Sequence, residues 1–325
     1  MRDKFNREIK YLRISLTELC NLRCRYCMPE VGVCKKNHED ILTQEEIISI
    51  VKVAVKLGIT KIRLTGGEPL VKKNIVDIVK SIKNIDGVEE ICMTTNAILL
   101  DKYAYDLKSA GLDRVNISLD TLDKDKFKYI TRIGNLDDAL KGLDKALEVG
   151  FKKVKLNTVL IGGFNDDEIV DIANLTLTKP IDTRFIELMP MYDSGDFNEK
   201  AFISNEEALE KIKKAYEGKK EIIKVDSDKG TVAKLYKIEA ALGNIGFISP
   251  VNDHFCGECN RIRLTADGKI KPCLHSNQEI LIKGLSPNEI EKKIKEAIFC
   301  KPEKHDVLSY TSRSHAERNM NQIGG

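Results

Sequence analysis

The chain has 325 residues, enough for one large domain or two ordinary ones, and its 42% hydrophobic and 32% charged content excludes a disordered or fibrous protein. Its net charge of +3 is the small difference between 53 basic and 50 acidic side chains, which excludes a general polyanion-binding surface and leaves any anionic ligand to local arginines. No run of about 18 apolar residues is present for a membrane span, and Met1-Arg2-Asp3-Lys4 leads into no apolar signal core, so a cytoplasmic protein is expected.

Up to residue 190, short β-branched runs alternate with longer amphipathic ones, the pattern of strand–helix units around a parallel sheet. Strands are expected over 10–16, 61–65, 90–95, 114–119, 153–160 and 183–189, and helices over 43–57, 72–83, 101–110, 136–149 and 166–178. The first helix carries the clearest signals. Thr43-Gln44-Glu45-Glu46 reads as a capping box, Ile47, Ile48, Val51 and Val55 recur at helical spacing, and Gly58 marks the end. Six strand–helix units are too few for an eight-fold barrel, which leaves an open partial barrel or a doubly wound sheet. After residue 200 the rhythm changes to a lysine-rich helix over 204–216 and strands over 221–225, 232–238 and 244–248. A boundary near 225 is expected, separating 1–225 from a smaller α+β unit over 226–325.

Nine cysteines in a cytoplasmic chain do not suggest a disulfide framework, and six of them fall into two tight sets. Cys20, Cys24 and Cys27 follow the first strand. Three thiolates with no fourth Cys or His at ordinary zinc spacing suit an iron–sulfur cubane that leaves one iron open to a non-protein ligand. Two alternatives stay open: buried thiols on one helical stripe, and zinc with Cys34 or His38 as a distant fourth ligand. The second set is Cys256-Gly257-Glu258-Cys259 with Cys273 after thirteen intervening residues, while Cys34, Cys92 and Cys300 read as ordinary thiols.

Polar residues recur where the parallel strands end. Gly66-Gly67-Glu68-Pro69, Thr94-Thr95-Asn96, Ser118-Leu119-Asp120, Lys155 to Asn157 and Glu187-Leu188-Met189-Pro190 are each an ordinary cap or turn when taken alone. Their recurrence at one end of the sheet favours a shared cleft. Arg13 and Arg63 lie inside strands, and Arg261-Ile262-Arg263 alternates so that both arginines face one way. Such a set reads as a pocket for a phosphorylated ligand, against the simpler reading of satisfied core ion pairs. Gly324-Gly325 is either a frayed end or a side-chain-free tail able to enter a narrow site.

Cys20-x-x-x-Cys24-x-Tyr26-Cys27 followed by Gly66-Gly67-Glu68-Pro69 resembles the radical S-adenosylmethionine enzymes. The second cysteine set, with Arg261 and Arg263 between its members and a terminal Gly-Gly, is similar to the GTP-cyclising branch that opens molybdenum cofactor biosynthesis. The likeness runs through nearly the whole chain. It implies an α/β fold, a partial (β/α)6 TIM-like barrel with a smaller C-terminal α+β domain and a [4Fe-4S] cluster in each. Cys20, Cys24 and Cys27 would hold the first cluster, whose open iron would bind S-adenosyl-L-methionine. One electron would then cleave that cofactor to a 5'-deoxyadenosyl radical. The radical would take the ribose 3' hydrogen of GTP, and the 3' carbon would attack guanine C8 to give 3',8-cyclo-7,8-dihydro-GTP. Tyr26, Gly67, Ser118 and Met189 match cofactor contacts in the family pattern, while Arg13, Arg63, Thr94, Lys155, Arg261, Ile262 and Arg263 match contacts to GTP. Cys256, Cys259 and Cys273 would hold the second cluster facing the guanine.

The same resemblance implies no catalytic side chain beyond the cofactors, apart from a role for the Gly324-Gly325 tail. The partners implied are GTP, a reductant or electron-donor protein, and a downstream cyclic pyranopterin monophosphate synthase, with a homodimer left open and neither nucleic acid nor membrane expected. Two residues depart from the pattern: Ala97 replaces a usual glycine after Asn96, and His275 stands two positions beyond Cys273 as a competing ligand. The rival readings are a radical enzyme that modifies a peptide and a zinc-stabilised binding protein.

Overall fold

The computed structural model describes the chain except for residues 192–196, 198, 227–231, 253–254, 306–307, 309–313, 315 and 325. Strand and helix alternate through the first part: β1 (Tyr11–Ser15), α1 (Gln44–Lys56), β2 (Lys61–Thr65), α2 (Ile75–Lys83), β3 (Glu90–Thr95), α3 (Leu100–Ser109), β4 (Arg114–Ser118), α4 (Lys124–Thr131), α5 (Leu136–Glu148), β5 (Lys153–Leu160), α6 (Ile169–Thr178) and β6 (Ile181–Glu187). There follow α7 (Asn205–Tyr216), β7 (Ile222–Val225), β8 (Lys234–Ile238), β9 (Ile245–Ile248), β10 (Arg261–Leu264), β11 (Lys269–Lys271), β12 (Ile280–Leu281), α8 (Pro287–Phe299) and α9 (Met320–Ile323).

Local chemistry explains the elements. Helix α1 begins on a reciprocal capping box between Thr43 and Glu46, worth about 1 kcal/mol, and buries Ile47, Ile50, Val51, Val53 and Ala54. Each such apolar side chain contributes roughly 1.5–3 kcal/mol of transfer free energy, so packing on the sheet outweighs the cap. An aspartate at Val51, fully buried, would place an unpaired charge in that layer and break it.

Three helices, α4, α8 and the short α9, went unread in the sequence. Helix α4 starts on Asp123, whose side chain accepts from the Lys126 amide, and α8 starts on a Ser286–Glu289 capping box with Pro287 in its first turn. Helix α4 is short and buries only Phe127, Ile130 and Thr131, whereas α8 buries Ile290, Ile294, Ala297 and Ile298 at helical spacing, a period present in the sequence and passed over.

Strands β1 to β6 lie side by side, all parallel, in chain order. The sheet does not close. The strands after residue 226 build on both its edges: β10 pairs parallel with β1, and β9 pairs parallel with β6. The order is β12-β11-β10-β1-β2-β3-β4-β5-β6-β9-β8-β7, with the outer pairs on each side antiparallel. One core cluster runs through both regions, joining Leu12 and Ile62 to Ile262, Ile270 and Ile294. Among the described residues no helix is long and apolar enough to cross a membrane.

Candidate active site

The ends of the parallel strands gather the sequence motifs. The loop after β1 and the loop after β2 are locked backbone to backbone: Gly67 N–H donates to Thr17 O (2.7 Å) and Glu68 N–H to Leu19 O (2.9 Å). A side chain at Gly67 would drive into the Leu19 carbonyl, so only glycine allows this approach just before Cys20. Glu68 is buried and accepts from Thr95 Oγ1 (2.7 Å), Asn96 N–H (2.8 Å) and Leu70 N–H (3.1 Å). Burial still pushes its carboxyl up to about 7, which leaves it receptive to a cationic amine. Ala97 holds the left-handed backbone (φ 64°) that glycine usually supplies, a strain of about 1 kcal/mol that keeps the turn intact.

Cys20, Cys24 and Cys27 are free thiols, partly exposed, and near enough to raise one another's pKa. Burial, then the neighbouring thiols, hold Cys24 well above its ordinary value, and burial pushes Cys20 up to about 11 and Cys27 up to about 12. Such a set ionises against a strong local positive charge, as iron supplies. Three free thiols in one loop fit a cluster, whose thiolates belong to separate irons and whose remaining iron is left open, better than one zinc, which asks four ligands of the protein. Cys34 is exposed on the loop beyond. Tyr26 anchors the loop to the end of β4, its hydroxyl donating to Asp120 Oδ2 (2.7 Å).

The interior of the sheet is cationic. Register places Arg263, Arg13 and Arg63 in one row across β10, β1 and β2. Burial, then Arg263 and Arg63, hold the Arg13 guanidinium well below its ordinary value; burial and Arg261 bring Arg263 down to about 10. Arg63 donates to Thr94 Oγ1 (3.2 Å). Further along, burial and Arg184 push Lys155 down to about 6, although Asp182 lies 3.6 Å away. Asp182 is shared with Lys153 (3.0 Å), and the ion pair is the weaker influence on a group so nearly enclosed by cations.

Buried polar atoms without hydrogen-bond partners line this interior: Arg63 Nε, Asn116 Oδ1, Asn157 Oδ1 and Arg184 Nε. Orphans of this kind are costly unless a polar ligand meets them. Arg184 on β6 is a residue the sequence reading missed; it pairs in register with Asn157, which pairs with Ser118. Its signal was a guanidinium inside a buried strand, the same signal that singled out Arg13 and Arg63, here masked by the polar neighbours Asp182 and Thr183.

The second thiol set sits at the start of β10. Cys256 lies in a short 3-10 turn held by Arg7, which donates to its carbonyl (2.8 Å). Burial would raise Cys259, but Lys301 and Arg261 overcome it and hold the thiol at about 7. Cys259 and Cys273 both act on Arg263, so the set faces the guanidinium row. The Ile262 side chain is buried in the core between the two arginines, so only its backbone can meet a ligand. His275 is engaged with Ser314 Oγ through Nδ1 (3.0 Å), and its ring lies 4.5 Å from that of His305 at a tilt of 51°.

The C-terminal tail enters this mouth. Arg263 Nη1 donates to the carbonyls of Ile323 (2.9 Å) and Gly324 (2.7 Å), the Asn321 side chain donates to Glu18 O (3.1 Å), and the Asn321 backbone N–H faces the Cys27 sulfur. Met189 packs with Met191, Ala316 and Ile323 of the same tail. Gly325 lies outside the described residues. Arg318 anchors the tail with Nε to Glu279 (2.6 Å) and Nη2 to Asp267 (2.9 Å), and a longer contact to Glu18 (3.6 Å). A cavity of 890 Å³ lined by Gly162, Asp166, Phe202 and α7 lies beyond β5 and holds none of these residues.

An open parallel sheet with a three-thiol loop after its first strand defines the class: residues 14–176 match the Radical SAM superfamily, and 181–307 match Molybdenum Cofactor Synthesis C. A protein of Alkaliphilus oremlandii (strain OhILAs) named GTP 3',8-cyclase is 51% identical, with all of both chains covered. One of the same name from Clostridium botulinum (strain Langeland / NCTC 10281 / Type F) is 46% identical, again over both whole chains. The crystal structure of Streptococcus suis SuiB bound to S-adenosylmethionine shares the fold, with a TM-score of 0.63 at 16% identity over 92% of this chain and 66% of that one. The chain belongs to the GTP 3',8-cyclase family of the radical SAM superfamily.

Proposed function

We propose that this protein converts GTP to 3',8-cyclo-7,8-dihydro-GTP, the first step of molybdenum cofactor biosynthesis. The observation that carries the reading is the row Arg263, Arg13 and Arg63, set between two three-thiol sets with Lys155 and Arg184 further round the sheet. When bound at Cys20, Cys24 and Cys27 and at Cys256, Cys259 and Cys273, two [4Fe-4S] clusters together with S-adenosyl-L-methionine supply the one-electron chemistry that opens a ribose C–H bond. The chain's own residues bind and orient. The guanidinium groups meet the triphosphate with paired N–H donors, and that anion relieves the repulsion they exert on one another. Lys155 takes up a proton as the anion arrives. Thr94, held by Arg63, and the backbone at Ile262 complete the substrate contacts.

Tyr26, Gly67, Ser118 and Met189 form the cofactor side, with Glu68 placed to accept from an amine. Gly324 narrows the mouth without filling it, which supports a positioning role for the Gly324-Gly325 tail. The chain is organised as 1–225 and 226–325 sharing one sheet. Its product would pass to a cyclic pyranopterin monophosphate synthase, and its electron would come from a reductant or donor protein, in the cytoplasm where thiols stay reduced.

Anaerobic reconstitution with iron and sulfide, followed by dithionite, S-adenosylmethionine and GTP, tests the reading. It predicts 5'-deoxyadenosine and the cyclised nucleotide in step. 5'-Deoxyadenosine without loss of GTP would point to another substrate, and neither product would sink the assignment.

A further inference from the structure

We infer that Lys301 is the counter-charge of the second thiol set, a buried ammonium that also braces the segments carrying Cys259 and Cys273. The inference rests on the function proposed above, in which Cys256, Cys259 and Cys273 hold an iron–sulfur cluster.

Lys301 stands just past the C-terminus of α8, where its backbone N–H donates to Ile298 O (3.3 Å). Ile290, Ile294, Ala297 and Ile298 fix that helix in the core, and Pro302 stiffens the chain directly after it. The Lys301 side chain is 2% exposed, and its ammonium donates to Pro272 O (2.9 Å), the carbonyl directly before Cys273. The same ammonium faces the Cys259 sulfur, which the Arg261 backbone N–H also meets. The next two residues secure the remaining cysteine. Arg7 donates to the carbonyls of Pro302 (2.6 Å), Glu303 (2.8 Å) and Cys256 (2.8 Å), and Asp3 holds Arg7 in place (2.6 Å). Residues 301–303 thus fasten the surroundings of all three thiols.

A buried ammonium is costly unless an anion meets it. Among the described residues no carboxylate pairs with Lys301, and Glu303 and Glu258, the acids beside it and beside Cys259 in sequence, are exposed. A neutral carbonyl does not balance the charge, which leaves sulfur as the anion. Three thiolates outweigh the charge of an oxidised [4Fe-4S] core by one, and one ammonium cancels the excess. The first set is embedded differently. No lysine faces Cys20, Cys24 or Cys27 among the described residues, and burial pushes Cys20 up to about 11 and Cys27 up to about 12. A cluster gains negative charge when it accepts an electron, so an adjacent ammonium favours the reduced form. The second cluster is therefore the easier of the two to reduce.

The test uses the full chain, reconstituted anaerobically with iron and sulfide, with Lys301→Met to remove the charge at similar length and Lys301→Arg to keep it. Adding Cys20→Ala, Cys24→Ala and Cys27→Ala to each leaves the second cluster as the sole signal in a redox titration followed by electron paramagnetic resonance. Lys301→Met should shift the reduction equilibrium about tenfold against the reduced form, about 59 mV for one electron, and Lys301→Arg should restore most of it. In the chain with all its cysteines, loss of about four irons in Lys301→Met but not in Lys301→Arg would equally mark the charge as what the cluster needs. An unchanged potential in Lys301→Met overturns the inference. A change of potential, iron content or Tm that Lys301→Arg shares in full assigns Lys301 to packing and overturns it too. The unaltered protein tells this failure from that of the proposed function: if it binds only about four irons, the second cluster is absent and both readings fall together.

Discussion

Arg263 donates to the carbonyl oxygen of Gly324 at 2.7 Å, so a cation of the proposed triphosphate site is also the clasp of the C-terminal tail. Gly324 has φ 69°, and a side chain there would stand 2.5 Å from Thr65 Cγ2. Gly324→Ala is expected to displace the tail without loosening the core. Turnover should fall roughly tenfold or more while Tm moves by no more than about 2 °C. Assays of GTP consumption beside thermal melting check this, and unimpaired turnover would remove the tail from the site.

Arg318 ties the tail to Asp267 and Glu279, and burial, which alone would raise both carboxyls, is overcome by Arg318 so that both titrate below their ordinary range. Because the folded values are depressed, this stabilisation is complete above the ordinary carboxylate range and is lost as pH falls through the folded values. Arg318→Gln should cost about 2 kcal/mol at neutral pH, less than a fully buried pair because the groups keep some solvent contact. Urea unfolding between about pH 3 and pH 7 should show a shallower acid limb in the variant. Parallel curves would count against the anchor.

Lys155 is held down to about 6 by burial and Arg184, so it is mostly neutral at pH 7.5. GTP binding should therefore take up close to one proton per chain at that pH, readable as a dependence of calorimetric heat on buffer ionisation enthalpy. Without ligand the sign for stability is the reverse of an ion-paired lysine. The unfolded chain holds this proton more tightly between pH 6 and roughly 10, so the contribution of Lys155 rises with pH across that window. Lys155→Met should abolish the proton uptake.

Arg184→Ala should raise the KM for GTP about tenfold, with a smaller effect on kcat, if its guanidinium holds ground state and transition state alike. An unchanged KM would return Arg184 to the core as a structural group.

Cys256→Ala should lower iron content by about half, leave S-adenosylmethionine binding intact and abolish cyclisation. A variant that still consumes GTP at the normal rate would separate the second thiol set from the substrate.

The parallel units were legible because β2, β3 and β5 are bounded by strong turn signals, and α1 by its capping box and Gly58. The six clustered cysteines, Arg13, Arg63 and Arg263 were legible for a chemical reason: thiols at ligand spacing and guanidinium groups inside strands have few structural uses. Arg184 escaped because Thr183 and Phe185 beside it looked like an ordinary strand end, and only register with β5 shows which way it faces. Helix α4 escaped because its eight residues bury only three side chains, while α8 was legible in Ile290, Ile294, Ala297 and Ile298 and in its Ser286–Glu289 cap, and was missed. That β10 stands beside β1 could not be read at all, since pairing across such a sequence separation leaves no local trace.

The same pairing bears on how the molecule is made. Tyr11 is paired on one side by Lys61 and on the other by Arg261, so while the ribosome is still short of Arg261 the first strand has one unpaired edge and the early thiol loop lacks one wall. The nascent chain must carry Cys20, Cys24 and Cys27 through most of synthesis before the enclosure exists. A product that stops short of β10 would therefore expose both a bare strand edge and three thiols that the finished fold half-encloses.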